Sequence, residues 1–414
     1  MALIDRRSLL AAGTALLPLG GPSMLRPARA QGRAGTIRIG VLNDMSGPYR
    51  DTGGPGSLAA TKLAAEEFMA AHPGITVEVL SADHQNRADV GSNIARTWYD
   101  QDGVDMIMDV PTSSVALAVS NVTREKNKAF VNSGAASTEL TGAQCSPNTV
   151  HWTYDTYMLA RTTGGALTKA GGDSWFFITA DYTFGHQLQK DASRFVEEAG
   201  GKVLGGVRYP FPATTDFSSF LVQAQTSRAK VIGLANAGAD TVNCIKQARE
   251  FGVTRRAKLA TLLMEIPDVH GLGLEAAQGL LLTEGFYWDL NDRTRALARR
   301  LQPRMGGVPI DMIHAGCYAG TLHYLKAVAD LGVAPAKASG RAAVARMKAM
   351  PTDDDAFGQG SIRSDGRKLH PAYLFEVKSP QESKGQFDYY KLVETSPADE
   401  AARPLSEGQC KMPG

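Results

Sequence analysis

The residues best suited to chemistry lie in short turns of small and hydroxyl side chains. Asp109-Val110-Pro111-Thr112-Ser113-Ser114 follows an apolar run and precedes a helical pattern. Hydroxyls there would sit beside the free N–H groups and positive dipole end of a helix, a natural setting for a carboxylate. Ser113 could equally do no more than cap its own helix. Ser133-Gly134-Ala135-Ala136-Ser137-Thr138 is a second such turn, whose small residues let a ligand approach the main chain. Asp181-Tyr182-Thr183-Phe184-Gly185 and Asn236-Ala237-Gly238-Ala239-Asp240 occupy the matching places later in the chain, and Met264-Glu265 could present one negative charge. Aromatics gather at Trp152, Tyr154 and Tyr157 and again at Phe286, Tyr287 and Trp288. Facing a cleft, they would stack on a flat ligand; otherwise they are ordinary packing.

Catalytic patterns are missing from the sequence. There is no GxxxxGK[ST], HExxH, GxGxxG or GxSxG. The eight histidines, among them His151, His186, His314 and His323, lack metal-ligand spacing. The expectation is therefore a binding protein with no catalytic residue, metal or cofactor. Four cysteines occur without a CxxC pair. Cys145 and Cys410 sit in polar, loop-like contexts and are the favoured disulfide, although four cysteines allow three full pairings. Cys244 and Cys317 fall inside helical patterns and read as small buried apolar residues.

The elements that must position these turns come after a distinctive N-terminus. Arg6-Arg7 precedes an apolar run through Leu17, and Ala28-Arg29-Ala30 closes it, the layout of a cleaved export leader. The arginine pair points to the twin-arginine route. The run is shorter than the roughly 20 residues a membrane span needs. Cleavage after Ala30 would take Lys+Arg from 44 to 40 and Asp+Glu from 42 to 41, turning the net charge from +2 to −1. A near-neutral chain of this kind argues against nucleic acid as partner, and an oxidising destination permits the disulfide.

After the leader, strand and helix patterns alternate. Strands are expected near 36–42, 75–80, 105–110 and 129–132, with helices near 57–71, 90–100 and 114–126. Past Trp152 the rhythm restarts, with strands near 174–179, 202–208, 230–235, 258–263 and 279–283 and helices near 184–199, 217–227 and 240–251. Helices near 293–302, 312–331 and 341–350 follow, then two late strands at 373–378 and 389–394. Alternation of this kind implies parallel strands with helical crossovers, used twice to give two lobes. Ligands bind such sheets beyond the carboxyl ends of the strands, where the small-residue turns lie.

Four stretches then resemble leucine/isoleucine/valine-binding-protein-type receptors of ABC transporters. They are Ile37-Arg38-Ile39-Gly40-Val41-Leu42 through Ser46-Gly47-Pro48, Gly134-Ala135-Ala136-Ser137-Thr138-Glu139-Leu140-Thr141, Asp181-Tyr182-Thr183-Phe184-Gly185, and Ile245-Lys246-Gln247-Ala248-Arg249-Glu250-Phe251-Gly252. The ordered set spans about 35 to 395. The resemblance implies an α/β type I periplasmic fold: two Rossmann-like lobes with parallel sheets, a hinge crossed three times, and closure on a ligand. It implies an N-terminal lobe of 33–151 plus 286–370, a C-terminal lobe of 152–285 plus 371–398, and a tail of 399–414. It also implies capture in the periplasm of a small carboxylate, an aromatic acid or an amino acid, for a permease and its ATPase, by a soluble monomer. Presentation of the ligand to a membrane sensor is the alternative. The family's carboxylate contacts fall on Ser113, Gly134 and Ala136, and its second-lobe contacts on Phe184, Asn236 or Ala237, and Glu265. Ser114, Ala135, Ser137, Trp152, Tyr154 and Tyr182 complete the candidate set. Ala136 and Phe184 replace polar residues of the family pattern. The segments around Trp152 and 286–290 look more like the subgroup that binds aromatic acids. An aromatic carboxylate is therefore expected ahead of a branched amino acid, although Glu265 argues the other way, since it needs an ammonium or a hydroxyl as partner.

Overall fold

The structure is a computed structural model that describes residues 35–412. The expected leader and its cleavage site lie outside the described residues. The described residues form a single compact unit by their contacts, and within it two parallel sheets define the architecture.

The first sheet contains β1 (Thr36–Asn43), β2 (Thr76–Asp83), β3 (Met106–Asp109), β4 (Ala129–Asn132) and β5 (Thr149–His151). Its order is β2-β1-β3-β4-β5, every pairing parallel. Both faces are covered. Met106, Met108 and Val131 pack on one side with Ala60, Leu63 and Phe68 of the helix Gly54–Ala71 and with the helix Met312–Leu331. Ile107 and Phe130 turn to the other side, against Val115 and Val119 of the helix Ser113–Glu125. That side-to-side alternation within continuously apolar strands is what a sheet buried on both faces requires. Burial also covers β1 almost throughout.

The second sheet repeats the plan. It has β6 (Ser174–Ala180), β7 (Lys202–Tyr209), β8 (Val231–Ala235) and β9 (Lys258–Thr261) in the order β7-β6-β8-β9, again all parallel. In each sheet the second strand of the chain lies outside the first and the third lies on the other side. Crossovers therefore leave in opposite directions at β1/β3 and at β6/β8. Such switch points open a crevice above the carboxyl ends of the strands.

The expected strand at 279–283 does not continue the parallel rhythm. It is β10 (Leu281–Glu284), and its ladder is antiparallel to a late strand. A small antiparallel sheet comes between: β11 (Thr352–Asp354), β12 (Gly358–Ile362) and β13 (Lys368–Leu369). The two late strands, β14 (Ala372–Val377) and β15 (Tyr390–Ser396), then complete a β10-β14-β15 sheet. Thr261 Oγ1 at the end of β9 still donates to the Leu281 carbonyl at 2.7 Å, so β10 lies beside the parallel sheet without joining its ladder. Pairing partners so distant in sequence leave no trace in the alternation of a short apolar run.

A helical stretch at Thr156–Lys169, with π-helical geometry over Ala160–Gly164, had no sequence signal. Its Thr162-Thr163-Gly164-Gly165 centre is poor in helix formers, and packing overrides the propensity. Cys145 and Cys410 form a disulfide, while Cys244 and Cys317 are free and buried. The disulfide holds the tail and its short helices Ala398–Ala401 and Leu405–Gly408 against the molecule. Among the described residues no helix is long and apolar enough to cross a membrane.

Candidate functional site

The two switch points face each other, and the cavity between them is walled by turns that follow parallel strands. Tyr49 and Thr52 come after β1, Pro111 after β3, Gly134 and Ala136 after β4, and Tyr154 after β5. From the other sheet come Tyr182 and Phe184 after β6, Ala237 and Gly238 after β8, and Leu263 and Glu265 after β9. Ile313 closes the wall from the start of its helix. The empty space between these turns is about 340 Å³, its open mouth included.

Side-chain bonds shape each turn. Asn43 at the end of β1 accepts the N–H groups of Asp44 and Gly54, each at 2.8 Å, and donates to the Asp109 carboxylate at the end of β3. The Asp44 carboxylate accepts the N–H groups of Gly47 (2.6 Å) and Tyr49 (2.9 Å), folding the loop that carries Tyr49 outward. Asp109 and Val110 adopt φ of +80° and +68°. That region is rarely occupied, least of all by a β-branched residue, and it is tolerated where the surroundings enforce it. The twist brings Pro111 to the wall. Opposite it, a Cβ on Gly134 would lie 2.6 Å from Asp109 Oδ1 and 2.8 Å from Pro111 Cα, so only glycine lets these loops touch. The Tyr154 hydroxyl donates to the Gly134 carbonyl at 2.6 Å.

Direct bonds join the two sides. The Tyr49 and Tyr182 hydroxyls meet at 2.6 Å, and the Pro48 carbonyl accepts the Ala239 N–H at 3.0 Å. Tyr182 stacks on Phe211 with centroids 4.3 Å apart. Gly238 has φ +60°, and a Cβ there would run into the Pro48 carbonyl. On the opposite flank the Ser137 hydroxyl donates to Gln187 at 2.7 Å.

Of the sequence candidates, Gly134, Ala136, Tyr154, Tyr182, Phe184, Ala237 and Glu265 are on the wall. Six are not, each for a local reason. Ser113 is the first helical residue after Thr112; it is fully buried and its hydroxyl has no partner. Ser114 follows on the same helix, half-buried. Ala135 turns into the apolar layer below, its N–H and carbonyl both bound by Asn132. Ser137 is committed to Gln187. Trp152 is fully buried core, tilted on the His323 ring and under the Lys368 ammonium, so its indole cannot stack on a ligand. Asn236 accepts the Thr241 hydroxyl at 2.7 Å and closes its own turn. Phe286 packs near Phe357, Tyr287 against Phe375 and Tyr390, and the Trp288 indole donates to the Phe387 carbonyl. Sequence reasoning missed Tyr49, Thr52, Leu263 and Ile313. Tyr49 was findable, because it directly follows the Ser46-Gly47-Pro48 turn after the first strand. Nothing local marks Ile313.

The wall has no Lys, Arg or His. Its single carboxyl, Glu265, is 2% exposed. Burial pushes this group well above the usual range, and the neighbouring Glu284 and Asp311 push it further. Burial likewise raises the Tyr49, Tyr154 and Tyr182 phenols, which stay neutral donors. Such a wall favours a ligand that brings a positive or hydrogen-donating group to Glu265 and apolar surface to the rings. Among the described residues no group of three or more His, Cys, Asp or Glu is placed to hold a metal.

Comparison with known proteins agrees with this geometry. Residues 36–386 match the family model described as periplasmic binding protein. A periplasmic binding protein from Burkholderia mallei is 46% identical, over 91% of this chain and 99% of its own, with a TM-score of 0.86. A branched chain amino acid ABC transporter periplasmic ligand-binding protein from Burkholderia xenovorans LB400 is 37% identical, over 90% and 99%, with a TM-score of 0.77. A solute binding protein of an R. palustris ABC transporter, in complex with benzoate, shares the fold at 19% identity, over 91% and 100%, with a TM-score of 0.76. No curated protein matches the sequence. The chain belongs to the periplasmic binding proteins of ABC transporters, which hold a small solute between two lobes for a permease and ATPase rather than transform it.

Proposed function

We propose that the solute is a zwitterionic amino acid with an apolar side chain. The observation that carries this reading is Glu265, a buried carboxyl on a wall that offers no cation. An ammonium supplies the missing partner. The ligand carboxylate would meet main-chain N–H groups at the Gly134–Ala136 turn, where small residues leave the backbone accessible. The side chain would lie among Tyr154, Phe184, Leu263 and Ile313. The amino-acid description of the B. xenovorans relative fits this reading.

A second reading rests on the four rings of the wall, Tyr49, Tyr154, Tyr182 and Phe184. They suit a flat aromatic acid, as in the benzoate-bound fold relative, provided Glu265 is protonated and donates to it. The two readings separate in a thermal-shift screen of the protein, stripped of solute by unfolding and refolding. Leucine, isoleucine and phenylalanine should raise the midpoint, while N-acetyl-leucine and benzoate should not. A shift with benzoate alone would replace the amino-acid reading with the aromatic one.

We also infer that the lobes comprise 33–151 with 286–370 and 152–285 with 371–398. Export by the twin-arginine route, with cleavage after Ala30, follows from Arg6-Arg7 and Ala28-Arg29-Ala30. N-terminal sequencing of the exported protein tests the cleavage site, and Arg6→Lys/Arg7→Lys tests the route.

A further inference from the structure

Behind Glu265 lies a second acid that does not reach the cavity. Glu284 ends β10 and is 1% exposed. One of its oxygens has no hydrogen-bond donor, and the other takes only a long bond from the Tyr390 hydroxyl at 3.5 Å. Neither side-chain oxygen of Glu265 has a hydrogen bond of normal geometry within the protein. The two carboxyls face each other within hydrogen-bonding range. Two carboxylates cannot bond to one another, because both are acceptors only, but a carboxylic acid and a carboxylate can.

The surroundings supply no counter-charge that would keep both ionised. Asp268, on the helix Ile266–Leu272, accepts the Glu265 N–H at 2.9 Å and adds another carboxyl. Asp311 caps the helix Met312–Leu331 and is bound to the His314 N–H at 2.9 Å and to the His314 ring at 3.0 Å. His314 is the one basic group in this cluster, and it is already engaged by Asp311 and the Gly53 carbonyl. Tyr390 comes from β15, and Tyr154 turns its hydroxyl away to Gly134. The groups acting most strongly on the pair are the carboxyls of Asp311 and Asp268, with the Tyr390 hydroxyl on Glu284. Glu265, Glu284 and Asp268, each raised by burial, thus stand beside one imidazole that already faces Asp311 and Asp109.

We propose that Glu265 and Glu284 hold one proton between them in the empty site, and that an ammonium-bearing solute displaces it, so capture releases a proton. The carboxylic O–H breaks and its proton passes to water. The electron pair stays on the carboxylate, which then accepts an N–H of the ammonium. Glu284 is in this scheme a positioning residue that sets the protonation of the ligand-binding acid. Burial raises both groups, which favours their protonated form. This inference rests on the amino-acid reading of the site.

Two measurements test it and separate its failure from that of the reading. Titration calorimetry with L-leucine and L-phenylalanine, in buffers of different ionisation enthalpy at neutral pH, should show about one proton released per ligand bound. Affinity should then rise by up to about tenfold per pH unit over the range in which the pair holds its proton. Glu284→Gln offers Glu265 a permanent amide donor, so binding should persist with no proton release. Wild-type binding without proton exchange overturns the inference. Infrared difference spectra of the empty protein need no ligand: the protonated-carboxyl C=O band of the wild type should be lost in both Glu284→Gln and Glu265→Gln. Absence of that band also overturns the inference. With the band present and neither amino acid bound, the shared proton stands and the amino-acid reading falls.

Discussion

Glu265→Gln should move the stability of the empty protein and its affinity for solute in opposite directions. The substitution keeps the volume of a side chain that is 2% exposed and removes its ability to ionise. In the empty protein Glu265 is an acid whose folded pKa lies above its ordinary 4.5, because of burial first and then the acids around it. For such a group, folding favours the protonated form. Wild-type stability therefore falls as pH rises from 4.5 towards the folded value, by about 1.4 kcal/mol per pH unit. Glutamine lacks that fall, so the variant's melting midpoint should exceed the wild type's by a margin that opens with pH above 4.5. Ligand binding behaves in reverse. Losing a charge-assisted hydrogen bond to an ammonium costs about 1.5–3 kcal/mol, roughly a 10- to 150-fold weaker Kd. A ligand at 100 times Kd adds about 2.7 kcal/mol to the wild type; after a 100-fold loss the same concentration adds only about 0.4 kcal/mol. Thermal-shift curves with and without L-leucine, taken across pH, read both effects. An empty variant less stable than the wild type at neutral pH, with an undiminished ligand shift, would refute the reasoning.

The remaining predictions concern closure, titration and the tail. Tyr182→Phe removes the hydroxyl contact to Tyr49 and should weaken affinity about 2- to 12-fold, mostly through faster dissociation in stopped-flow traces; unchanged dissociation would deny the contact a part in closure. Gly238→Ala places a methyl against the Pro48 carbonyl at a φ of +60°, so small-angle scattering should show a more open average shape and a smaller response to ligand. Asp240, bound by the Tyr209 hydroxyl at 2.8 Å, is lifted by burial from 3.8 to about 7. That gap corresponds to roughly 4 kcal/mol of stability lost as pH climbs through it, so Asp240→Asn should flatten the melting-temperature profile between those values, and an identical profile would contradict it. Cys145→Ser opens a bridge between residues 265 apart in sequence and should cost roughly 2–5 kcal/mol in denaturant unfolding.

Glycine and small-residue turns made half of the wall readable before any coordinates. Gly134 and Ala136 announce a close approach, and a turn after a buried strand announces which end of the sheet it occupies. The pattern of apolar residues also gave the two repeated β/α sets, because burial on both faces writes itself into every strand. What it could not carry was direction. Trp152 and Tyr154 are two residues apart on one aromatic stretch, yet one is core and the other is wall. The choice depends on His323, Lys368 and Gly134, which come from three other parts of the chain. Ser113 is a similar case. Its position after β3 is where the family pattern leads one to expect a contact, but the left-handed Asp109-Val110 step presents Pro111 to the cavity instead.

The same limit explains why the electrostatic character of the site was the least legible feature. Glu265 alone, read along the sequence, is one exposed-looking acid after a strand. Its meaning comes from β10 leaving the parallel ladder to pair with β14, which sets Glu284 beside it, and from a helix cap that brings Asp311 to the same place. None of these groups is near Glu265 in a way that spacing reveals, apart from Asp268. Together they convert an ordinary side chain into a buried acid short of a partner. A fold that holds such a group against burial costs of this size does so at a loss to its own stability. On the amino-acid reading, the ammonium of a bound solute offsets that loss by giving the acid cluster a donor.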